Sequence, residues 1–207
     1  MTDAALPPRA VDQSRRIRKL RLLFIALLPL MLFTHSAWAD RHWLFEIFEV
    51  LGIMLVIAGV LGRFWAILYI GGQKNRRVVD EGPYSICRHP LYLFSTLGVL
   101  GLGMMLGSVV LTLVFGGLVF TILTLTAQGE ERYLRSALGD DYDRYAARVP
   151  QILPRPSLFR TGPEVRVDLR HLRGNLMDAL VFLTFIPLAE LMEFLKSDLG
   201  IPSLPIW

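Results

Sequence analysis

Residues 91–127 read LYLFSTLGVLGLGMMLGSVVLTLVFGGLVFTILTLTA, a stretch without one Asp, Glu, Lys or Arg. Gly107-Ser108 divides it into two apolar runs, 91–106 and 109–127. A Gly-Ser pair between such runs is a turn signal, so the segment predicts two antiparallel helices joined by a tight hairpin. A bilayer core about 30 Å thick takes about 20 helical residues. The second run suffices. The first, at about 1.5 Å per residue, reaches only about 24 Å, which predicts either a locally thinned bilayer or a segment that dips in and returns.

Three more apolar stretches flank the hairpin: 22–39, interrupted by Pro29 and His35; 43–70, with Glu46 and Glu49 near its start and Arg63 well inside; and 176–195, interrupted by Asp178, Pro187, Glu190 and Glu193. The first follows basic residues and ends near an Ala37-x-Ala39 match to a cleavage site, but its length and the spans behind it predict a retained helix. The composition agrees with a membrane class. Of 207 residues, 53% are hydrophobic and 19% charged, with a mean hydropathy of +0.46, whereas soluble domains carry roughly a quarter charged residues. Disordered, collagen-like and disulfide-stapled classes are excluded, the last because Cys87 is the only cysteine. The expected fold is all-α, a polytopic bundle of about five transmembrane helices with a cytoplasmic cofactor cap.

Lys and Arg set the orientation. Nineteen of the 22 basic residues fall before the first stretch, in 71–90 or in 128–173, segments that share one face if the spans alternate. Only Arg41 and Lys196 fall opposite, and Arg63 lies within a span. The N-terminus and both long loops are therefore expected in the cytoplasm, in the inner membrane if the source is bacterial, with the basic charge meeting anionic headgroups rather than nucleic acid. Four parts follow: a basic tail 1–21, a core 22–155, a linker 156–175 marked by Pro156 and Pro163, and an additional span and tail 176–207. Gly103-x-x-x-Gly107 would permit close helix contact and hence an oligomer, without indicating one.

Two constellations can carry chemistry. In the loop 71–90, Gly82-Pro83 marks a turn, and Pro90 biases His89 out of helical geometry and can open the next helix. Arg88 and His89 then sit at a helix N-terminus beside unpaired N–H groups, a receptor for a carboxylate or phosphate. Alternatively, Arg88 anchors headgroups and His89 caps the helix. The second constellation is Glu130-Glu131 after the fourth stretch, followed by Tyr133, Tyr142 and Tyr145. Adjacent helical residues point about 100° apart, so at most one carboxylate faces a given pocket squarely. Taken alone, the pair reads as a solvated helix end with a Glu131–Arg135 ion pair. The hairpin changes this, because it brings His89 beside Glu130. A carboxylate-binding Arg/His pair and an amine-binding Glu then face one space, as an α-amino acid head group requires. Arg63 is either a snorkelling cation, about 10 Å from the end of its span at Ile70, or part of the site. His35, His42 and His171 form no metal-ligand pattern, and no phosphate-loop, dinucleotide or serine-hydrolase motif is present.

Gly82-Pro83-Tyr84-Ser85, Arg88-His89-Pro90-Leu91-Tyr92, the hairpin, Glu130-Glu131, Leu134, Gly139, Tyr142, Tyr145, Val149-Pro150 and Pro154-Arg155 follow a familiar order. From about Gly71 to Arg155 the chain resembles the isoprenylcysteine carboxyl methyltransferase and phospholipid N-methyltransferase family. It departs from that pattern at Phe94 and Ser95, where a small residue is common, and in its last apolar stretch. The resemblance implies an integral membrane enzyme that uses S-adenosylmethionine to methylate a lipophilic acceptor, a prenylcysteine-type carboxylate or a lipid amine. It implies that Arg88 and His89 engage the cofactor carboxylate, that Tyr84 and Tyr92 line the pocket, and that Glu130 or Glu131 holds the amino group or ribose. Tyr142, Tyr145 and Pro150 would close the lid. Arg88, Glu131 and Arg63 are the candidate catalytic residues. An NADPH-dependent lipid or sterol reductase, whose Arg-His-Pro segment looks similar, and a non-enzymatic membrane scaffold are the alternatives.

Overall fold

The computed structural model describes residues 13–37, 41–71, 77–165, 167, 169–197 and 203–206. The expectations resting on Arg9, Lys74, Arg76 and Arg166, and on the side chains of Arg15, Arg16, Arg170 and His171, lie outside the described residues. The Ala39 half of the Ala37-x-Ala39 match does so too. The elements run α1 (Gln13–Leu32), β1 (Thr34–Ser36), α2 (His42–Ile70), α3 (Pro83–Ile86), α4 (Pro90–Met105), α5 (Val109–Leu138) and α6 (Asp140–Arg148). A 3-10 turn (Pro156–Leu158) follows, then α7 (Leu169–Leu180), a second 3-10 turn (Val181–Thr184), α8 (Phe185–Ser197) and β2 (Leu204–Ile206). Among the described residues, α2 and α5 are long and apolar enough to cross a membrane, and α4 is a shorter apolar helix.

The hairpin forms as its sequence predicts. Gly107 takes φ +65°, which only glycine adopts freely. Ser108 then caps α5, its hydroxyl accepting from the Leu111 N–H at 3.2 Å. The small residues of Gly103-x-x-x-Gly107 are used inside the chain: a Cβ on Gly103 would lie 2.4 Å from Thr112 Cα, and one on Gly107 would lie 2.6 Å from the Phe45 ring.

Helices α2 and α4 meet through glycines on both sides. A Cβ on Gly52 would stand 2.6 Å from the Gly101 carbonyl oxygen, one on Gly59 2.8 Å from the Phe94 carbonyl oxygen, and one on Gly62 2.1 Å from the Phe94 ring. Backbone therefore packs on backbone, as small-residue faces permit in membrane helices. Around this pair, Met31 of α1, Val56 of α2, Leu102 of α4, Phe115 of α5 and Met192 of α8 form the main apolar cluster.

One expectation is corrected. The apolar stretch 176–195 is not one helix. Pro187, three residues into α8, lacks an N–H and clashes with the carbonyl of Leu183. The chain accordingly tightens into the 3-10 turn Val181–Thr184 between α7 and α8. The fold is mostly helical, as expected, and adds one short two-stranded parallel sheet, β1 with β2, with Thr34 opposite Leu204 and Ser36 opposite Ile206. Backbone groups left unpaired after α1 drive this pairing. The Phe33 carbonyl accepts from the Leu204 N–H at 2.9 Å, and Ala37 N–H donates to Ile206 at 2.8 Å.

Candidate active site

The site is assembled at the end of the bundle where α2 ends, α4 begins and α5 runs past its apolar portion. Gly82, at φ +58°, opens α3, and a Cβ there would meet the Tyr69 ring at 2.4 Å. Both conformation and space thus demand glycine. Pro90 is the first residue of α4, and His89 precedes it with no side-chain cap bond. The His89 imidazole turns inward instead. Its Nε2 lies 3.1 Å from Glu131 Oε1 and its Nδ1 3.9 Å from Glu130 Oε2, and its ring stacks on Tyr92 at 5.3 Å with planes 6° apart.

Glu131 is the hub. Beyond His89, its Oε1 accepts from Gln151 Nε2 at 3.1 Å and lies 3.2 Å from Arg88 Nε, an ion-pair contact that is off-line as a hydrogen bond. The Glu131–Arg135 pair expected of an isolated helix does not form; Arg135 instead pairs with Asp143 at 3.5 Å. Glu131 itself lies behind the wall, while Glu130 lines a cavity of about 1070 Å³. One helical step separates their directions, as adjacency requires.

A strap after α6 backs the site. Arg88 N–H donates to the Pro150 carbonyl at 2.9 Å, His89 N–H to Gln151 at 3.0 Å, and Arg155 N–H to Ile86 at 2.9 Å. The amides of residues 88 and 89 are therefore spent on the strap. Pro150 acts through its carbonyl and does not line the cavity. Sequence reasoning missed Gln151, whose only signal is an amide side chain in a proline-flanked, non-helical stretch.

Helix α6 supplies the remaining wall. Tyr145 donates its hydroxyl to the Tyr84 carbonyl at 2.7 Å, and Tyr142 meets Tyr145 edge-on at 6.0 Å. The hydroxyls of Tyr84 and Tyr142 are buried, have no hydrogen-bond partner among the described residues, and belong to residues lining the cavity. Burial pushes the phenols of Tyr84, Tyr142 and Tyr145 up and the Cys87 thiol up to about 12. An orphaned buried hydroxyl costs free energy unless something occupies its lobe, so these two atoms fit a polar ligand there.

The cavity has two ends. Arg77, Tyr84, Arg88, His89, Glu130 and Tyr142 line the polar one, and Phe24, Leu27, Val99, Leu102, Phe115 and Phe185 the apolar one. Tyr92 and Tyr145 line it as well, and Arg63 and Asp178 enter its wall among apolar side chains. Of the expected site residues, the structure brings together all but Glu131 and Pro150 on one cavity surface, and holds those two directly behind it.

The family model described as phospholipid methyltransferase matches residues 47–141. The chain is 35% identical to the cobalt-zinc-cadmium resistance protein CzcN of Cupriavidus metallidurans, over 97% of this chain and 96% of the relative. It is 32% identical to the nickel-cobalt-cadmium resistance protein NccN of Alcaligenes xylosoxydans xylosoxydans, over 91% and 87%. Over 40% of this chain and 35% of the relative, it is 36% identical to a protein-S-isoprenylcysteine O-methyltransferase of Schizosaccharomyces pombe. No solved structure matches.

Proposed function

Because the chain belongs to the isoprenylcysteine carboxyl methyltransferase and phospholipid methyltransferase family, we propose that it is an integral membrane methyltransferase that uses S-adenosylmethionine on a lipophilic acceptor. The observation that carries this reading is one continuous cavity with a charged, tyrosine-lined head and an apolar tail. Its bundle is proposed to cross the membrane five times, with the N-terminus and the cavity head at the cytoplasmic face, as the Lys and Arg distribution supports.

When bound, the cofactor supplies a methyl group already activated on a sulfonium. The chain's task is then positioning, which can lower a barrier by about 7–11 kcal/mol. The Arg88 fork carries five N–H donors. One meets Ala146 O at 3.1 Å and Nε faces Glu131, so the others can turn to the cofactor carboxylate together with the Tyr84 and Tyr142 hydroxyls. Glu130 is suited to the ammonium or ribose. Tyr84, Tyr92 and Tyr142 offer ring faces to a cation and shield it from water. Glu131, behind Arg88 and His89, holds both in place. A carboxylate acceptor needs no base; an amine acceptor must lose a proton, and Glu130 is the carboxylate at the polar end of the cavity that can take it.

The test is transfer of label from methyl-labelled S-adenosylmethionine into lipid fractions by the purified protein. Label in an extractable lipid is expected, and its absence from every fraction counts against the reading. The full-length relatives are named for metal resistance, which favours a second, compatible reading: methylation of a membrane component contributes to tolerance of such metals. Among the described residues no group of three or more His, Cys, Asp or Glu side chains is placed to hold a metal ion, and the proposed link runs through the methylated product. Wild-type protein should then restore metal tolerance to a deletion strain where His89→Ala does not.

A further inference from the structure

Within the proposed methyltransferase reading, we infer that Arg63 forms an acceptor subsite for an oxyanion, so that the acceptor is an amphiphile carrying a carboxylate or phosphate next to its apolar tail. Arg63 lies seven residues before the end of α2, but its side chain does not reach for that end. Its Nη1 donates to the Ser95 hydroxyl of α4, and that hydroxyl in turn donates to the Leu91 carbonyl at 2.6 Å. The guanidinium also sits over the Phe182 ring, 5.1 Å from its centroid. Gly98 keeps Phe182 there, because a Cβ at 98 would fall 2.5 Å from Phe182 Cδ1.

These contacts hold a permanent cation in the cavity wall, with Ser95 about 9 Å along α4 from His89 at helical rise. That distance separates Arg63 from the polar head assigned to the cofactor. An acceptor entering tail-first along the apolar end therefore meets Arg63 beside the point where its own head reaches the cofactor. A planar guanidinium fork in low dielectric favours a carboxylate or phosphate over a neutral head. Asp178 lines the same cavity and sets the field that such an anion must overcome.

The test uses the full-length protein in neutral detergent, saturated with S-adenosylhomocysteine, titrated with N-lauroylglycine, its methyl ester and dodecyl phosphate. The acid and the phosphate are expected to bind at least about tenfold tighter than the ester. A better phosphate assigns a phospholipid source, and a better carboxylate assigns a carboxylate-bearing lipid. In Arg63→Gln the acid preference should fall below about twofold, with affinity for S-adenosylhomocysteine retained. Arg63→Lys and Ser95→Ala guard against misfolding and should give intermediate preferences. Asp178→Asn should tighten the acids. Equal binding of acid and ester by wild type, an acid preference kept in Arg63→Gln, or weaker acid binding in Asp178→Asn would overturn the inference. If S-adenosylhomocysteine fails to bind wild type while the acid preference still depends on Arg63, the methyltransferase reading fails and the anion subsite stands.

Discussion

His89 Nε2 stands 3.1 Å from Glu131 Oε1, two residues 42 positions apart that the hairpin at Gly107 brings face to face. With Arg88 on the same oxygen, the pair is a buried charge cluster. Removing one member leaves the others uncompensated in low dielectric. Glu131→Gln should therefore destabilise by about 3 kcal/mol and lower Tm by roughly 6–12 °C. Glu130→Gln, on the cavity surface, should change Tm little and weaken S-adenosylhomocysteine binding about tenfold. Thermal unfolding and calorimetry on the two variants separate the roles.

The tyrosines divide in the same way. Tyr84 and Tyr142 bury hydroxyls with no partner among the described residues, so Tyr84→Phe and Tyr142→Phe should leave Tm unchanged or raised and weaken cofactor-analogue binding several-fold. Tyr145 donates to the Tyr84 carbonyl, so Tyr145→Phe should cost about 1 kcal/mol. Differential scanning fluorimetry reads all three.

Close helix contact sets the third expectation. Gly62→Ala would force a Cβ to 2.1 Å from the Phe94 ring and should destabilise by about 1–3 kcal/mol. At Gly117 no atom of the described residues lies within 4 Å of the added atom, so Gly117→Ala should be silent in the same melting assay.

Alkaline pH should loosen the wall that α3 and α6 build. Burial raises Cys87, Tyr84, Tyr142 and Tyr145, so the unfolded chain loses these protons at lower pH than the folded one. Their contribution is complete below the unfolded values, about 8.5 for Cys and 10 for Tyr, and is lost as pH rises above them. Stability should fall from about pH 9 upward, and Cys87 should react with a maleimide at pH 7 only on unfolding. Rapid labelling of the folded protein at pH 7 would contradict this burial.

Much of this arrangement is legible in the chain itself. Pro90, Gly82 and Gly107-Ser108 act locally, through φ restriction and turn geometry, and their consequences are visible in sequence. The meeting of His89 with the two glutamates follows from the hairpin alone. What eludes sequence are the events set by partners far along the chain. The strap carbonyls of Pro150 and Gln151 take the amides of Arg88 and His89, and Gln151 joins Glu131 across a turn that no periodicity marks. The choice between Glu130 and Glu131 depends on the rotation of α5, which neighbouring helices fix. The β1–β2 pair joins residues about 170 apart, so no local pattern announces it.

Calorimetric titration of S-adenosylhomocysteine into the detergent-solubilised wild-type protein and its His89→Ala and Glu130→Ala variants tests the central claim most directly. Saturable binding by wild type that weakens at least about tenfold in both variants is the predicted result. Equal affinity in all three, or no binding by a folded wild type, would contradict the assignment of the polar end of the cavity to a methyl-donating cofactor.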